Sequence, residues 1–145
     1  MNLSHSDANI LRDNPEGDVP DDVLSAYLTR YAVRWIVVTS AKPALESRPG
    51  LIELEAIVPP HRIYRSKLPC SLLQQGRGRV EAALNSISVT GSDPDEDLVL
   101  KFHWIETFAC APACKAVMEP VAGDPVGFVR IPAPHPPDLV VENGY

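Results

Sequence analysis

The spacing of hydrophobic residues predicts a helix followed by two strands in the first part of the chain. Residues 21–33 place apolar side chains three and four positions apart, which is typical of an amphipathic helix; these are Val23, Leu24, Tyr27, Leu28 and Tyr31. Asp21 can cap the first turn because its carboxylate accepts backbone N–H bonds. The β-branched run 34–41 and the alternating run 51–58 predict strands. We expect these two strands to form a hairpin across the loop 42–50, which contains two prolines and a glycine.

The remainder of the chain begins with a predicted short helix. Residues 65–76 contain Ser66 as an N-cap candidate and Gly76 at the end. Residues 79–90 fit a helix in their first half and a strand in their second half. A Gly/Asp/Pro-containing turn follows, and 98–108 then alternates apolar and polar residues. Because two long strands joined by such a turn form a hairpin, we interpret 79–90 as a strand paired with 98–108.

Two further strands are predicted at 115–121 and 126–133, on either side of a turn that contains glycine and proline. The order of elements is thus α-β-β-α-β-β-β-β, and strands joined by short turns pair antiparallel. We therefore expect an α+β fold, in which one antiparallel sheet of about five or six strands carries two helices packed on one face.

Both ends of the chain lack a regular hydrophobic pattern. Residues 1–20 are polar and acidic and predict a mobile N-terminal tail. Residues 133–145 are rich in proline, which favours polyproline II, and predict a second tail. The segment 21–132 is then expected to be a single α+β domain, consistent with the usual size of domains.

Composition narrows the class of protein. The 145 residues include 45% hydrophobic residues, which is ordinary for a globular chain. No stretch approaches the roughly 18 apolar residues of a membrane-spanning helix, so no membrane contact is predicted. The N-terminus lacks the pattern of a signal peptide, and three cysteines do not indicate a disulfide framework. The predicted location is cytoplasmic.

The net charge of -6 argues against a protein that coats nucleic acid over its whole surface. The acidity lies at the two ends, however. Residues 1–20 and 117–145 each hold four acidic residues and one basic residue, whereas 21–116 holds equal numbers of both. A local basic site in the middle of the chain is therefore compatible with the composition.

The segment 61–79 contains such a run, because no acidic residue occurs between Glu55 and Glu81. Its candidate binding residues are Arg62, Arg65, Lys67, Arg77 and Arg79. Arginine binds phosphate through two hydrogen bonds and stacks on bases. The segment predicts a patch for RNA, DNA or an acidic protein surface. The alternative is a solvated face whose charges are balanced by acidic residues elsewhere in the fold.

A second candidate site is a pocket on the predicted sheet. Its lining residues would be Trp35, Phe102, His103, Trp104 and Glu106. Glu106 falls on the apolar face of the predicted strand 98–108. If that face is buried, the pKa of this carboxyl group would be raised, as at many functional sites. If the strand ends near residue 105, Glu106 is simply exposed.

The cysteines offer a third candidate. Cys110 and Cys114 follow His103, and thiolate and imidazole groups are zinc ligands. These three are weak metal candidates because a complete ligand set is missing; two buried cysteines are favoured, and a disulfide is a further alternative. Cys70 lies near the start of the predicted short helix and could be a nucleophile with His61 or His103 as its base. A thiol facing the core is favoured.

Two further motifs receive structural interpretations. The acidic residues of 93–97 resemble a calcium loop in spacing, but Leu98 and Trp104 occupy the positions of the required glycine and glutamate. A solvated turn explains them. The P-x-x-P motif at 134–137 is short and degenerate, and a proline-rich tail explains it.

These patterns favour a small non-enzymatic protein that acts by binding another macromolecule, as an inhibitor or adaptor does. A homodimer is one expected state of this protein. A protein partner is expected. No catalytic residue and no cofactor are predicted, because no catalytic signature is present. One alternative is a small-molecule-binding or enzymatic α+β domain with an apolar pocket on the sheet. Another is nucleic-acid binding through 61–79.

Overall fold

The computed structural model describes residues 10–14 and 16–144, and this part of the chain is mostly β-structure. It contains eleven strands in three sheets and three helices, two of which have only four residues. The expected antiparallel pairing is confirmed for every strand pair of the described residues. The predicted α+β fold with one sheet and two packed helices is wrong. Segments predicted as a helix or a tail form strands, and the strands separate into three sheets.

The described residues form two compact units. The N-terminal unit ends at Ser71 and the C-terminal unit begins at Leu72. This division lies inside the segment 21–132 that the sequence predicts to be one domain. The N-terminal unit contains α1 (Ile10–Asp13), α2 (Asp21–Arg30), β1 (Trp35–Val38), α3 (Pro43–Glu46), β2 (Ile52–Val58) and β3 (His61–Ser66).

The three strands of the N-terminal unit form a sheet of order β1-β3-β2. The predicted hairpin of β1 with β2 is wrong, because β3 lies between them and pairs with both. Pro59 and Pro60 end β2, as expected for residues that cannot donate a backbone hydrogen bond, and form the turn into β3. The predicted helix at 65–76 is absent; β3 occupies its start.

Helix α2 confirms the helical pattern, although it ends at Arg30. Leu24 and Leu28 from its apolar stripe are fully buried. They belong to the core of the N-terminal unit, whose buried members are Val19, Leu24, Leu28, Ile36, Leu45, Ile52 and Tyr64. Asp21 does not cap the helix, because Pro20 occupies the N-cap position. The carboxylate of Asp21 instead lies 2.7 Å from Nε of Arg48.

The N-terminal tail predicted over 1–20 is anchored where the structure describes it. Arg48 donates a hydrogen bond to the carbonyl oxygen of Gly17 over 2.8 Å and another to that of Val19. Val19 is buried in the core of the unit. Residues 1–9 of this predicted tail lie outside the described residues.

The C-terminal unit is a sandwich of two four-stranded sheets. Its strands are β4 (Leu73–Gln75), β5 (Arg79–Ala83), β6 (Ser86–Thr90), β7 (Leu98–His103), β8 (Phe108–Ala111), β9 (Val117–Val121), β10 (Asp124–Ile131) and β11 (Leu139–Asn143). One sheet has the order β4-β7-β10-β9 and the other β5-β6-β11-β8. Both sheets contribute to one core, which includes Ile87, Val89, Leu98, Leu100, Val129, Ile131, Leu139 and Val141.

The predicted pairing of 79–90 with 98–108 is wrong. The first segment is itself a hairpin of β5 and β6, in which Asn85 adopts a positive φ of 65° at the turn. The second segment begins as β7, which lies in the opposite sheet and pairs with β4 and β10. The prediction of two strands around the turn near Gly123 is confirmed by the pairing of β9 with β10.

The segment 133–145, expected to be a tail, contains β11, an inner strand of its sheet. This strand pairs with β6 on one side and β8 on the other. The preceding prolines do not form a free polyproline helix, because Ser92 donates its backbone N–H to the carbonyl oxygen of Pro137 over 2.9 Å. The imidazole of His135 is buried and contacts the carbonyl oxygen of Glu96 over 2.8 Å. The P-x-x-P motif is thus packed against the acidic turn.

The bulge at Gly127 provides a test of the sandwich. Its φ is +71°, and a Cβ atom there would clash with the backbone carbonyl oxygen of Glu119 on β9. Gly127→Ala should therefore lower the free energy of unfolding by about 1–3 kcal/mol in urea denaturation. Gly123→Ala is the matched control, because Gly123 also has a positive φ but no atom near the added methyl group. Equal losses for both variants would contradict the close approach at Gly127.

Candidate functional site

One face of the N-terminal sheet carries apolar side chains that point away from the core. Side chains alternate between the two faces of a strand. Ile36 and Tyr64 are paired residues that belong to the core, so their neighbours in sequence lie on the opposite face. We call this surface the open face; its apolar residues are Trp35, Val37, Ala56, Val58 and Ile63.

The apolar residues of the open face are neighbours in the sheet. Val37 pairs with Ile63, which pairs in turn with Ala56. Trp35 lies two residues before Val37 on β1, and Val58 lies two residues after Ala56 on β2. Val37 is 59% exposed, Val58 55% and Trp35 45%. These side chains therefore form one contiguous apolar surface. Such a surface differs from single exposed apolar residues, which are common on any protein.

Charged residues of both signs lie at the Trp35 end of the open face. Arg65 pairs with Trp35 across the sheet and donates hydrogen bonds to the carboxylate of Glu53. Nε of Arg65 also lies 3.1 Å from Glu55, and Nζ of Lys67 lies 3.1 Å from Glu53. Hydrogen bonds from Arg65 and Lys67 hold the pKa of the Glu53 carboxyl group below its usual value. The same contacts raise the pKa of Arg65.

These pairings change the interpretation of the basic segment 61–79. Arg62 lies 2.9 Å from Glu46, which also accepts a hydrogen bond from the hydroxyl group of Tyr64. Burial and this glutamate raise the pKa of Tyr64. In the C-terminal unit, Arg77 lies 3.3 Å from Glu96, and Arg79 lies 2.6 Å from Glu81. Each of the five predicted patch residues thus has an acidic partner, as in the alternative of a charge-balanced face.

A second surface is a cleft of about 310 Å³ in the C-terminal unit. It lies between the turn of the β5–β6 hairpin and the end of β7. Polar and aromatic side chains line it, among them Asn85, Ser86, Phe102, His103, Phe108 and Asn143. We call it the end cleft. Of the residues predicted to line a pocket, Phe102 and His103 are found here.

The other predicted pocket residues are elsewhere. Strand β7 ends at His103, so the predicted alternation of apolar and polar residues over 98–108 stops before residue 108. Glu106 is exposed in the turn that follows. This agrees with the second interpretation of this residue, in which the strand ends near residue 105. Trp104 packs edge-on against Phe108, with 6.2 Å between ring centroids. Trp35 belongs to the N-terminal unit.

His103 is held in place by a buried carboxylate. Its Nε2 atom lies 2.9 Å from Oδ2 of Asp124, whose side chain is fully buried. The second carboxylate oxygen, Oδ1, accepts the backbone N–H of Val126 over 2.9 Å. The ring of His103 also lies beside that of Phe128. A carboxylate fixed on both oxygens orients the imidazole, as in many binding and catalytic sites. The sequence contains no signal for Asp124, because the two residues meet only through pairing of β7 with β10.

The three cysteines differ from their favoured interpretation. Cys110 and Cys114 form a disulfide, so neither offers a thiolate to a metal with His103. No group of three metal-ligating side chains occurs in the described part of the chain. Cys70 is exposed and its Sγ atom contacts the carbonyl oxygen of Ala32. The predicted core-facing thiol is wrong here, because the helix that would have turned it inward is absent.

Comparison of the chain with protein-family models, with curated proteins and with solved structures finds no match. Among the described residues, no helix has the length and apolar character needed to cross a membrane.

The ion pairs of the open face predict a specific titration behaviour. Because the pKa of Glu53 is lowered in the folded protein, its contribution to stability is present above pH 4.5 and is lost as the pH falls through the folded pKa. An NMR titration should place the midpoint of the Glu53 carboxyl group below 4.5, and Arg65→Met should move it upward. Lys115→Met removes the same charge from the C-terminal unit and should leave it unchanged. A Glu53 midpoint insensitive to Arg65→Met would contradict this arrangement.

Proposed function

We propose that the chain is a non-catalytic protein-binding module and that its open face is the surface that binds. The observation that supports this proposal is an apolar surface across all three strands of one sheet. Trp35, Val37 and Val58 are exposed on the two edge strands, and the half-buried Ile63 joins them on the middle strand. Contiguous exposed apolar surface in a folded protein marks an interaction site more often than a structural feature.

The composition of the open face matches that of energetic centres in protein interfaces. Tryptophan and arginine are enriched among the residues that contribute most to binding. Trp35 pairs with Arg65 in the sheet, and the guanidinium group of Arg34 lies 5.9 Å from the centre of the Trp35 ring. Arg65 is held before a partner binds by its hydrogen bonds to Glu53, which lowers the entropic cost of using this cation in an interface.

The charges indicate the kind of partner. Glu53, Glu55, Arg65 and Lys67 form a mixed-sign network at one end of an apolar surface. A polyanion such as nucleic acid would meet two carboxylates there, so this alternative is less favoured. A protein surface with an apolar centre and charges of both signs is complementary. A second copy of the chain meets this description, because a two-fold axis brings the same patch against itself.

The sequence predicts a cytoplasmic location, but the disulfide favours a different compartment, which we propose instead. Stable disulfides form in oxidising compartments and are rare in the cytosol. The bond between Cys110 and Cys114 therefore favours a protein that acts in an oxidising environment.

Val37→Lys tests the proposal. Val37 lies on an edge strand of the sheet and is largely exposed, so the variant should fold while placing a charge within the open face. We expect sedimentation velocity to show self-association of the unmodified chain that weakens about tenfold or more in the variant. If the unmodified chain is monomeric, its cross-linked partners should be lost from the variant.

Leu84→Lys is the matched control. Leu84 is 88% exposed at the turn of the β5–β6 hairpin, outside the open face, and its replacement makes the same change in charge. This variant should retain the association. If neither self-association nor any cross-linked partner distinguishes Val37→Lys from Leu84→Lys, the open face is not a binding surface.

A further inference from the structure

The end cleft lies in the C-terminal unit and shares no residue with the open face. Its volume of about 310 Å³ is at the lower end of the roughly 300–1,000 Å³ of small-molecule sites. The hairpin turn between β5 and β6 forms one wall, and the end of β7 with the following turn forms another. A ligand held here would therefore be small.

The polar groups of the end cleft are almost all uncharged. Among the described residues that line it, His103 is the single titratable side chain. The amide group of Asn85 and the hydroxyl group of Ser86 can each donate and accept hydrogen bonds. Asn143 offers only its amide N–H groups, because its Oδ1 atom accepts a hydrogen bond from the hydroxyl group of Thr107 over 2.5 Å. Such groups match a ligand that carries several hydroxyl groups. A strongly anionic or cationic ligand would find no Lys, Arg, Asp or Glu side chain among the lining residues.

The remaining wall of the end cleft is apolar. Phe102 and Phe108 line it together with Ile105. Aromatic rings provide flat apolar surface against which the C–H groups of a sugar ring can pack, while its hydroxyl groups bond to amides. The combination of aromatic and neutral polar side chains in a small cleft is thus complementary to a molecule with one apolar face and a hydroxylated rim.

We propose that the end cleft binds a neutral saccharide of one or two rings. His103 lines the same cleft, and the buried carboxylate of Asp124 fixes the orientation of its imidazole through Nε2 over 2.9 Å. Asp124 is a positioning residue in this site and does not contact the ligand. Asn85 supplies an amide at the turn of the β5–β6 hairpin. Its backbone is anchored to β11, since its carbonyl oxygen accepts the backbone N–H of Asn143 over 3.0 Å.

The test is an NMR titration of the ¹⁵N-labelled chain with a panel of neutral sugars. The panel contains methyl glucoside, methyl galactoside, methyl mannoside, cellobiose, maltose and chitobiose. At least one should shift the resonances of Asn85, Ser86, His103 and Asn143, with a dissociation constant of about 0.1–10 mM. Acetate and phosphate serve as anionic probes and should not produce these shifts.

Asn85→Gly removes the amide and keeps the fold, because glycine adopts the positive φ of 65° without strain. It should weaken binding at least tenfold. Ala113→Gly is the matched control, since Ala113 also has a positive φ and does not line the cleft. Val37→Lys should leave sugar binding unchanged, which separates this site from the open face.

Three results would overturn the proposal. The first is the absence of shifts at the cleft residues with every sugar at tens of millimolar. The second is equal affinity of Asn85→Gly and Ala113→Gly for the sugar that binds. The third is a response of the cleft residues to acetate or phosphate alone, which would assign the cleft to anions.

Discussion

The C-terminal unit depends on the placement of its last strand. β11 lies between β6 and β8 and hydrogen-bonds to both, so these two strands belong to one sheet only because β11 joins them. Leu139 and Val141 of this strand are buried in the core that both sheets share. The end cleft depends on the same strand, because Asn143 at its end lines the cleft and donates its backbone N–H to Asn85.

The local pattern of hydrophobic and polar residues predicts those elements whose packing or pairing partners are close in sequence. α2 follows from its apolar stripe, and the hairpin of β9 and β10 follows from the turn between them. β11 could not be found in this way. Its sequence is short and follows several prolines, and the hydrogen bonds that order this segment come from the turn at 92–97, far away along the chain. Likewise, no local signal places β3 between β1 and β2, since the pattern within one strand does not indicate which strands pair.

The candidate sites show the same limit. The segment 61–79 is basic when only residues close in sequence are considered, because it contains no acidic residue. In the sheet, the register places Glu53 beside Arg65, and the charge is balanced across strands. His103 was identified as a candidate from its residue type, whereas Asp124 had no signal because strand pairing brings it to the imidazole. Strict alternation along 51–58 places Ala56 and Val58 on the same side as the buried Ile52. A register shift between Leu54 and Ala56 moves them to the open face, and the pattern of the strand alone does not indicate this shift.

Hydrogen exchange of the backbone amides of Leu139–Asn143 tests this account most directly. If β11 is an inner strand of the sandwich, its amides should exchange at a rate close to that of global unfolding, as slowly as those of β6 and β7 in the same core. The measurement is made by NMR on the full chain under native conditions. Exchange of these amides within minutes, at the rate of an unprotected tail, would contradict the sandwich and with it the end cleft.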